Sequence, residues 1–476
     1  MQPVFEALAR HAKERPDAIA FSGDGKSMSW AELAARVAAL AETLECAPNR
    51  IAIGHPGGCA YVVADLALAL TGRRQVPLPF FFSEDQIAHV IHDSQAEAVI
   101  TDRPDAFGPL PVIQADARVP ARPITFFPTE GSERIIYTSG SSGTPKGVVI
   151  GARQLMASLS GLQPLAVATE QDRHLSILPL AQLLEQICGI YLPILAGAET
   201  RFDFAATRSL FGAEISAVTE AFERERPSTS LLVPGLLGRW VADLQRRGQQ
   251  APNSLRLVAV GGAASAPALL HQAWDSGIPV HEGYGLSECC AVVAMNRPGA
   301  NRIGTAGEIL NGLDVKIVDG EITVGGPTVM SGYLNASPPP SQWHTGDLGR
   351  IEDGRLIVEG RKDALLISPS GRNISPEWVE QRVDADPRVV ASALGLRHDG
   401  ELVIVIAAVA PITLSEIAGL LGDLPGYAVP KGVVMTSPHE PGLLFPAGTP
   451  NRAVAAQIIN RKDAVDLPAQ TESLAS

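Results

Sequence analysis

The feature that most limits how this chain can fold is a succession of short apolar runs separated by stretches of helical period. Arg50–Ile53, Gln75–Leu78 and Ala98–Thr101 are apolar with little alternation, as strands buried on both faces should be. Between them, Val4–Lys13 and Trp30–Leu44 repeat apolar residues every three to four positions, and Ser29 is placed to cap the second helix. Helix and strand in alternation predict layered α/β architecture around a parallel sheet. The pattern resumes after the proline-rich 110–130 stretch, expected to be a loop, and includes a strand at Leu255–Val260 that ends on Gly261-Gly262.

From Ile303 the character changes. Val315–Val324 and Gly349–Glu359 alternate apolar with polar residues and fold about Asp319-Gly320 and Asp353-Gly354, strong hairpin dipeptides. Ser337-Pro338-Pro339-Pro340 between them reads as a stiff exposed loop. Beyond Arg361 a compact α+β unit is expected: a helix near Pro376–Val383, a strand at Leu402–Val409, a helix at Leu414–Leu421, a strand at Gly432–Met435 and a helix near Arg452–Ile459. The length of 476 residues itself calls for more than one domain.

Composition narrows the partners. A net charge of −13 argues against a general nucleic-acid binder. The first thirty residues carry charges throughout and lack an apolar signal core. Tyr61–Leu70 and Ile187–Ala198 are too short to span a bilayer and read as buried core. Five cysteines with no CxxC pair, and no HExxH helix, offer neither a disulfide framework nor a zinc site, so a reducing cytoplasm is the expected compartment.

The chemistry concentrates in Tyr137-Thr138-Ser139-Gly140-Ser141-Ser142-Gly143-Thr144-Pro145-Lys146-Gly147. Glycines let backbone N–H groups converge on an anion, hydroxyls add donors and the lysine adds a mobile charge, which together suit a polyphosphate. The loop is not a Walker A motif: no Gly-Lys-[Ser/Thr] occurs, and strand pattern rather than helix follows it. A plain Ser/Gly surface loop would not end in the ordered Pro145-Lys146-Gly147.

This stretch resembles the phosphate loop of the adenylate-forming (AMP-binding) superfamily, which includes acyl-CoA synthetases, luciferases and peptide-synthetase adenylation domains. The resemblance runs from Ser29-Trp30-Ala31-Glu32-Leu33 to the last helix, closest in style to fatty and aryl acyl-CoA synthetases. It implies a large N-terminal α/β domain with a β-rich subdomain, residues 1–362, joined by a hinge at Asp363 to a small mobile domain, residues 363–476. It also implies ATP, Mg²⁺ and coenzyme A (or phosphopantetheine) as cofactors and co-substrates, a small carboxylic acid as substrate, and an acyl carrier protein as a possible partner.

By the same resemblance, Gly283-Tyr284-Gly285-Leu286-Ser287-Glu288 would stack Tyr284 on adenine and offer Glu288, with Thr138, to Mg²⁺. A carboxylate is the right ligand chemistry for that ion. Gly261-Gly262-Ala263 would lie along the adenine. Asp347, in Thr345-Gly346-Asp347, would hold the ribose hydroxyls, and Arg361 would reach ribose or phosphate. Leu424–Pro430 matches a further, structural motif. Thr138, Lys146, Glu288, Arg361 and Asp363 are the residues expected to carry catalysis.

Two places set the chain apart. Leu178-Pro179-Leu180-Ala181-Gln182-Leu183-Leu184-Glu185-Gln186 resembles the segment that lies by the substrate carboxylate, with Gln182 where many relatives have histidine. Phe202-Asp203-Phe204 only superficially resembles the amino-acid-loading context, which favours a fatty or aryl acid. Near the C-terminus, Gly448-Thr449-Pro450-Asn451-Arg452 has Thr449 where the family has a lysine; the nearest other lysines, Lys431 and Lys462, lie well off that position, which leaves Arg452 or Lys431 as the substitutes to consider. The expected reaction is acid activation to acyl-AMP followed by transfer to a thiol; the alternative is a degenerate member that binds ligand with little catalysis.

Overall fold

The computed structural model describes residues 1–23, 25–115, 126–129, 131–138, 145–263, 265–336, 338–339, 341–367, 372–386, 388–438, 440–444, 450–461 and 464–467. Ser139–Thr144, Ser337, Pro340, Gly448, Thr449 and Lys462, all singled out in the sequence, lie outside the described residues.

The chain is mixed α/β, with large sheets in its N-terminal part and a smaller sheet near its C-terminus. One sheet has seven strands, in the order Gly332–Tyr333, Lys146–Gly151, Glu133–Thr138, Arg74–Pro77, Arg50–Ile53, Ala98–Ile100, Val112–Ile113. Its middle is parallel: Arg50–Ile53 pairs with Arg74–Pro77 on one side and Ala98–Ile100 on the other. Helix Gly58–Leu70 follows Arg50–Ile53 and is buried at every position from Tyr61 to Leu70, which explains why its sequence shows no polar face. Helix Trp30–Leu44 starts at a capping box in which Ser29 and Glu32 exchange side chain-to-backbone hydrogen bonds.

The second sheet has thirteen strands. Parallel strands Glu199–Phe202, Arg173–Ser176, Thr229–Leu232, Leu257–Val260 and Val280–Tyr284 lie side by side. The β-rich region does not form a separate layer. Ala294–Met295 pairs antiparallel with Gly283-Tyr284 and carries the ladder through Gly307–Ile309 and Arg355–Arg361 to Gln342–Glu352, Glu321–Gly325 and Asp314–Val318. Both expected hairpin turns form. Asp319 and Gly320, like Asp353 and Gly354, have positive φ at both central positions, the twist that two-residue hairpins favour.

Residues 374–467 build a four-stranded sheet, Val389–Leu396, Leu402–Ala408, Gly432–Thr436 and Val465–Asp466, with an apolar cluster on each face. Strand Val389–Leu396 was not expected. Its Val-Val-Ala-Ser-Ala-Leu-Gly-Leu run is rich in small residues and gives neither period clearly. Helices Pro376–Val383 and Arg452–Arg461 cover it, as read from their sequence.

Candidate functional site

The C-terminal ends of three neighbouring parallel strands meet on one edge of the large sheet. Ile177 follows Arg173–Ser176, Val233 follows Thr229–Leu232, and Gly261-Gly262 follow Leu257–Val260. This is where open α/β sheets place ligands. Gly262 has φ +85°, and a side chain on Gly285 would put its Cβ 1.6 Å from the Ala291 carbonyl oxygen. Gly262 is therefore dictated by its left-handed backbone and Gly285 by the close approach of another backbone segment. Ala263 continues the exposed turn after Gly262.

Beside these ends, Tyr284 and Asp347 are brought together from different strands. The Tyr284 hydroxyl donates to Asp347 Oδ2 at 2.6 Å, and Arg361 Nη1 donates to Asp347 Oδ1 at 3.2 Å. The pairing follows from the ladder, in which Asp347 sits opposite Arg361. Burial pushes the Asp347 carboxyl above its ordinary range, against the opposing pull of Tyr284 and Arg361. Burial and then the facing Asp347 push the Tyr284 phenol up. Arg361 also grips Asp363 with two bonds, Nε to Oδ1 at 3.0 Å and Nη2 to Oδ2 at 3.2 Å, which holds the Asp363 carboxyl below its ordinary range. One guanidinium thus serves two carboxylates.

The third group stands at the mouth of the phosphate loop. Thr138 and Lys146 face each other as the last described pair of the antiparallel ladder between Glu133–Thr138 and Lys146–Gly151. Tyr333, paired with Val148 in the next strand, contacts two of the catalytic candidates, Lys146 and Glu288. Lys146 Nζ sits 5.9 Å from its ring centroid, and its hydroxyl donates to Glu288 Oε1 at 2.7 Å. Glu288 lies in the short turn Ser287–Cys289. Its hard oxygens and single carboxylate fit Mg²⁺, which keeps several waters and shares phosphate oxygens. Among the described residues no group of three or more His, Cys, Asp or Glu side chains could hold a metal alone.

On the other side of the strand ends, the turn Leu178–Gln182 exposes Gln182 and buries Leu178, Leu180, Ala181 and Leu183. Gln182 N–H is held by the Pro179 carbonyl at 3.0 Å. Asp203 serves the fold rather than the site. It caps helix Phe204–Ser209 by accepting the Ala206 N–H at 2.8 Å and pairs with Arg224. Arg452, a candidate substitute for the missing lysine, is committed elsewhere, to Glu380 Oε1 at 2.7 Å and Glu377 Oε1 at 2.8 Å.

Two neighbours of the site were not found in the sequence. Tyr333 has no local signal, because its contacts come from strand pairing across the chain. Glu282 precedes Gly283-Tyr284 and is half-buried; it accepts the Ser265 N–H at 3.0 Å, and burial raises its carboxyl to about 7. A lone glutamate in a strand pattern was the one available hint.

The comparisons with known proteins agree with this geometry. The AMP-binding enzyme family matches residues 8–334. A feruloyl-CoA synthase from Amycolatopsis sp. is 30% identical over 471 residues, covering 90% of this chain and 94% of that protein. A 2-succinylbenzoate–CoA ligase from Bacillus licheniformis is 30% identical over 363 residues, covering 70% and 73%. Among solved structures, the O-succinylbenzoate coenzyme A synthetase from Bacillus subtilis, in complex with AMP, superposes with a TM-score of 0.77 at 24% identity, over 97% of this chain and 99% of that one. Among the described residues no helix is long and apolar enough to cross a membrane. By the match over residues 8–334 and the 30% identity with the feruloyl-CoA synthase over 90% of its length, this chain belongs to the AMP-binding enzyme family of adenylate-forming ligases.

Proposed function

We propose that the chain activates a monocarboxylic aryl or fatty acid with ATP and passes it to the thiol of coenzyme A or a carrier-protein phosphopantetheine. The observation that carries this reading is the acid turn. Residues 178–184, Val233 and Gly261–Ala263 contribute no charged side chain, so nothing there answers a second carboxylate or an amino group. Arg134, the buried cation that bonds Gln186 behind this turn, is already paired with Asp65. A feruloyl-type acid fits such a lining better than a dicarboxylic one.

In the first step a carboxylate oxygen attacks the α-phosphorus, and the bond to pyrophosphate breaks. In the second, a thiolate attacks the acyl carbon, the bond to AMP breaks, and the thiol proton goes to solvent. Ser139–Thr144, Pro145 and Lys146 would cradle the phosphates, and Asp347 and Arg361 the ribose. Tyr284, Gly261, Gly262 and Ala263 would flank adenine, and Glu288 with Thr138 would hold Mg²⁺, which when bound neutralises phosphate charge. Such chemistry depends on positioning and preorganised charge rather than on a covalent side chain. We place the boundary between the two domains at Asp363, supported by apolar clusters that end at Val358 and begin again at Leu366. Domain closure at such a boundary would separate the two half-reactions.

A second reading, a ligand-binding member with little catalysis, is favoured by Thr449 together with the engagement of Arg452 by Glu377 and Glu380. Acid-dependent ATP–pyrophosphate exchange separates the two. Exchange with ferulate and other monocarboxylic acids, exceeding that with 2-succinylbenzoate, supports the ligase; nucleotide binding without exchange for any acid supports the second reading.

A further inference from the structure

Behind the acid turn lies a polar cluster that the reaction does not use. Asp65, Tyr61, Gln186 and Tyr191 are fully buried and Arg134 nearly so. Arg134 stands on Glu133–Thr138, the strand that runs into the phosphate loop. Its Nη2 donates to the Tyr191 hydroxyl at 2.6 Å, and its Nη1 reaches Asp65 Oδ1 at 3.4 Å and the Gln186 side-chain oxygen. The Tyr191 hydroxyl donates in turn to Asp65. Gln186 spends its amide N–H groups on the Tyr61 hydroxyl at 3.0 Å and on the Leu180 carbonyl at 2.9 Å.

The Leu180 bond gives the cluster a reach beyond stability. Leu180 is in the middle of the acid turn, two residues before Gln182, and a Cβ built on Gly57, the residue that starts helix Gly58–Leu70, would lie 3.9 Å from its side chain. Gln186 therefore holds the turn's backbone with its donor side while its acceptor side is held by a guanidinium on the phosphate-loop strand. Burial makes the alternatives costly, since each polar group left without its partner would have no water to replace it. The segment also carries a π-helical turn at Ile187–Tyr191, which brings Gln186 and Tyr191 together toward Arg134. Such turns are often kept for the side-chain placement they provide.

We infer that Gln186 is a positioning residue that fixes the acid-binding turn in register with the phosphate loop, through its bonds to the Leu180 carbonyl and to Arg134. The inference rests on the reading of 178–182 as the acid turn. A purely structural cluster would stabilise the chain without favouring that turn over any other segment.

Two substitutions separate these roles. Gln186→Met keeps the volume and removes the bond to Leu180, whereas Tyr191→Phe cuts the Asp65–Arg134 side of the cluster and leaves the Leu180 bond in place. Hydrogen exchange in the free enzyme reads the turn directly, at the Gln182 and Gln186 amides bonded to Pro179 and Gln182. Gln186→Met should speed exchange over 179–186 by about five- to tenfold, the worth of one buried hydrogen bond, and Tyr191→Phe should leave it within about twofold. With ferulate as the probe acid, KM should rise by a similar factor in Gln186→Met while KM for ATP holds. Gln186→Glu, which can still accept from Arg134 but as a carboxylate cannot donate to Leu180, should behave like Gln186→Met. Equal loosening in Gln186→Met and Tyr191→Phe, or none in either, overturns the inference. Absence of turnover with ferulate would count against the aryl-acid reading alone, because the exchange measurement decides this one without substrate.

Discussion

Glu282→Gln should flatten part of the pH dependence of stability. The Glu282 carboxyl titrates near 7 in the folded protein against an ordinary 4.5, because burial disfavours its charge more than the Ser265 N–H favours it. Between those values the folded chain keeps a proton that the unfolded chain releases. Stability from this group is therefore greatest below 4.5, falls as pH rises toward 7, and is level above. The gap of about 2.5 pH units, at about 1.4 kcal/mol each and trimmed for the water that reaches its edge, is worth about 2–3 kcal/mol. Glutamine keeps an oxygen for the Ser265 N–H and removes the titration. Asp384, exposed at the C-terminal end of helix Pro376–Val383 but with its carboxyl also raised to about 7, would contribute a parallel slope in the C-terminal sheet region. The comparison is best made on an Asp384→Asn background, by urea unfolding followed through tryptophan fluorescence at pH 5.5, 7.0 and 8.5. Between pH 5.5 and 8.5 Glu282→Gln should gain midpoint over its parent by an amount equivalent to about 1–2 kcal/mol, because about 1 kcal/mol of the effect is already lost below pH 5.5. Parallel pH curves for the two proteins would refute the argument.

Glu288→Ala should abolish Mg²⁺-dependent turnover with the fold intact, and unchanged rates at limiting Mg²⁺ would remove Glu288 from the site. Lys146→Ala should raise KM for ATP by about three- to tenfold, because one exposed cation adds modestly to a cradle of backbone donors; no change in KM or kcat would count against a phosphate role. Asp363→Pro should spare pyrophosphate exchange and slow thioester formation by resisting backbone rotation, whereas equal loss of both points to misfolding. Thr449→Lys should raise exchange by about 10²-fold or more, the usual worth of a preorganised stabilising group; unchanged exchange in a folded variant with a fast parent would sink the idea that adenylation is slow.

Local signals carried much of this fold. Trp30–Leu44 could be read from its spacing and its Ser29–Glu32 cap, because both act within one helical turn. The two Asp-Gly hairpins were legible because only a few residue types accept positive φ. Strand Val389–Leu396 escaped since its burial comes from helices packed on it, not from its own alternation. The nucleotide-side candidates were legible as motifs, but what joins them was not. The contact of Tyr284 with Asp347 spans two strands separated by most of the β-rich region, and Tyr333 reaches Glu288 only through pairing with Val148. Long-range register has no signature at the level of single segments.

The merging of the parallel and β-rich regions into one thirteen-stranded sheet has a consequence for solubility. Among the described residues a ladder that long still has only two open edges, Asp314–Val318 and Lys26–Ser29, and each is a potential template for a second chain. Both are short. The first carries Asp314 and Lys316 as an exposed ion pair, with Gln342 bonded to the same aspartate, and the second opens with exposed Lys26 and Ser27. Charge at each end discourages edge-to-edge association, so the extended sheet can bring its nucleotide-side residues together without offering a sticky border.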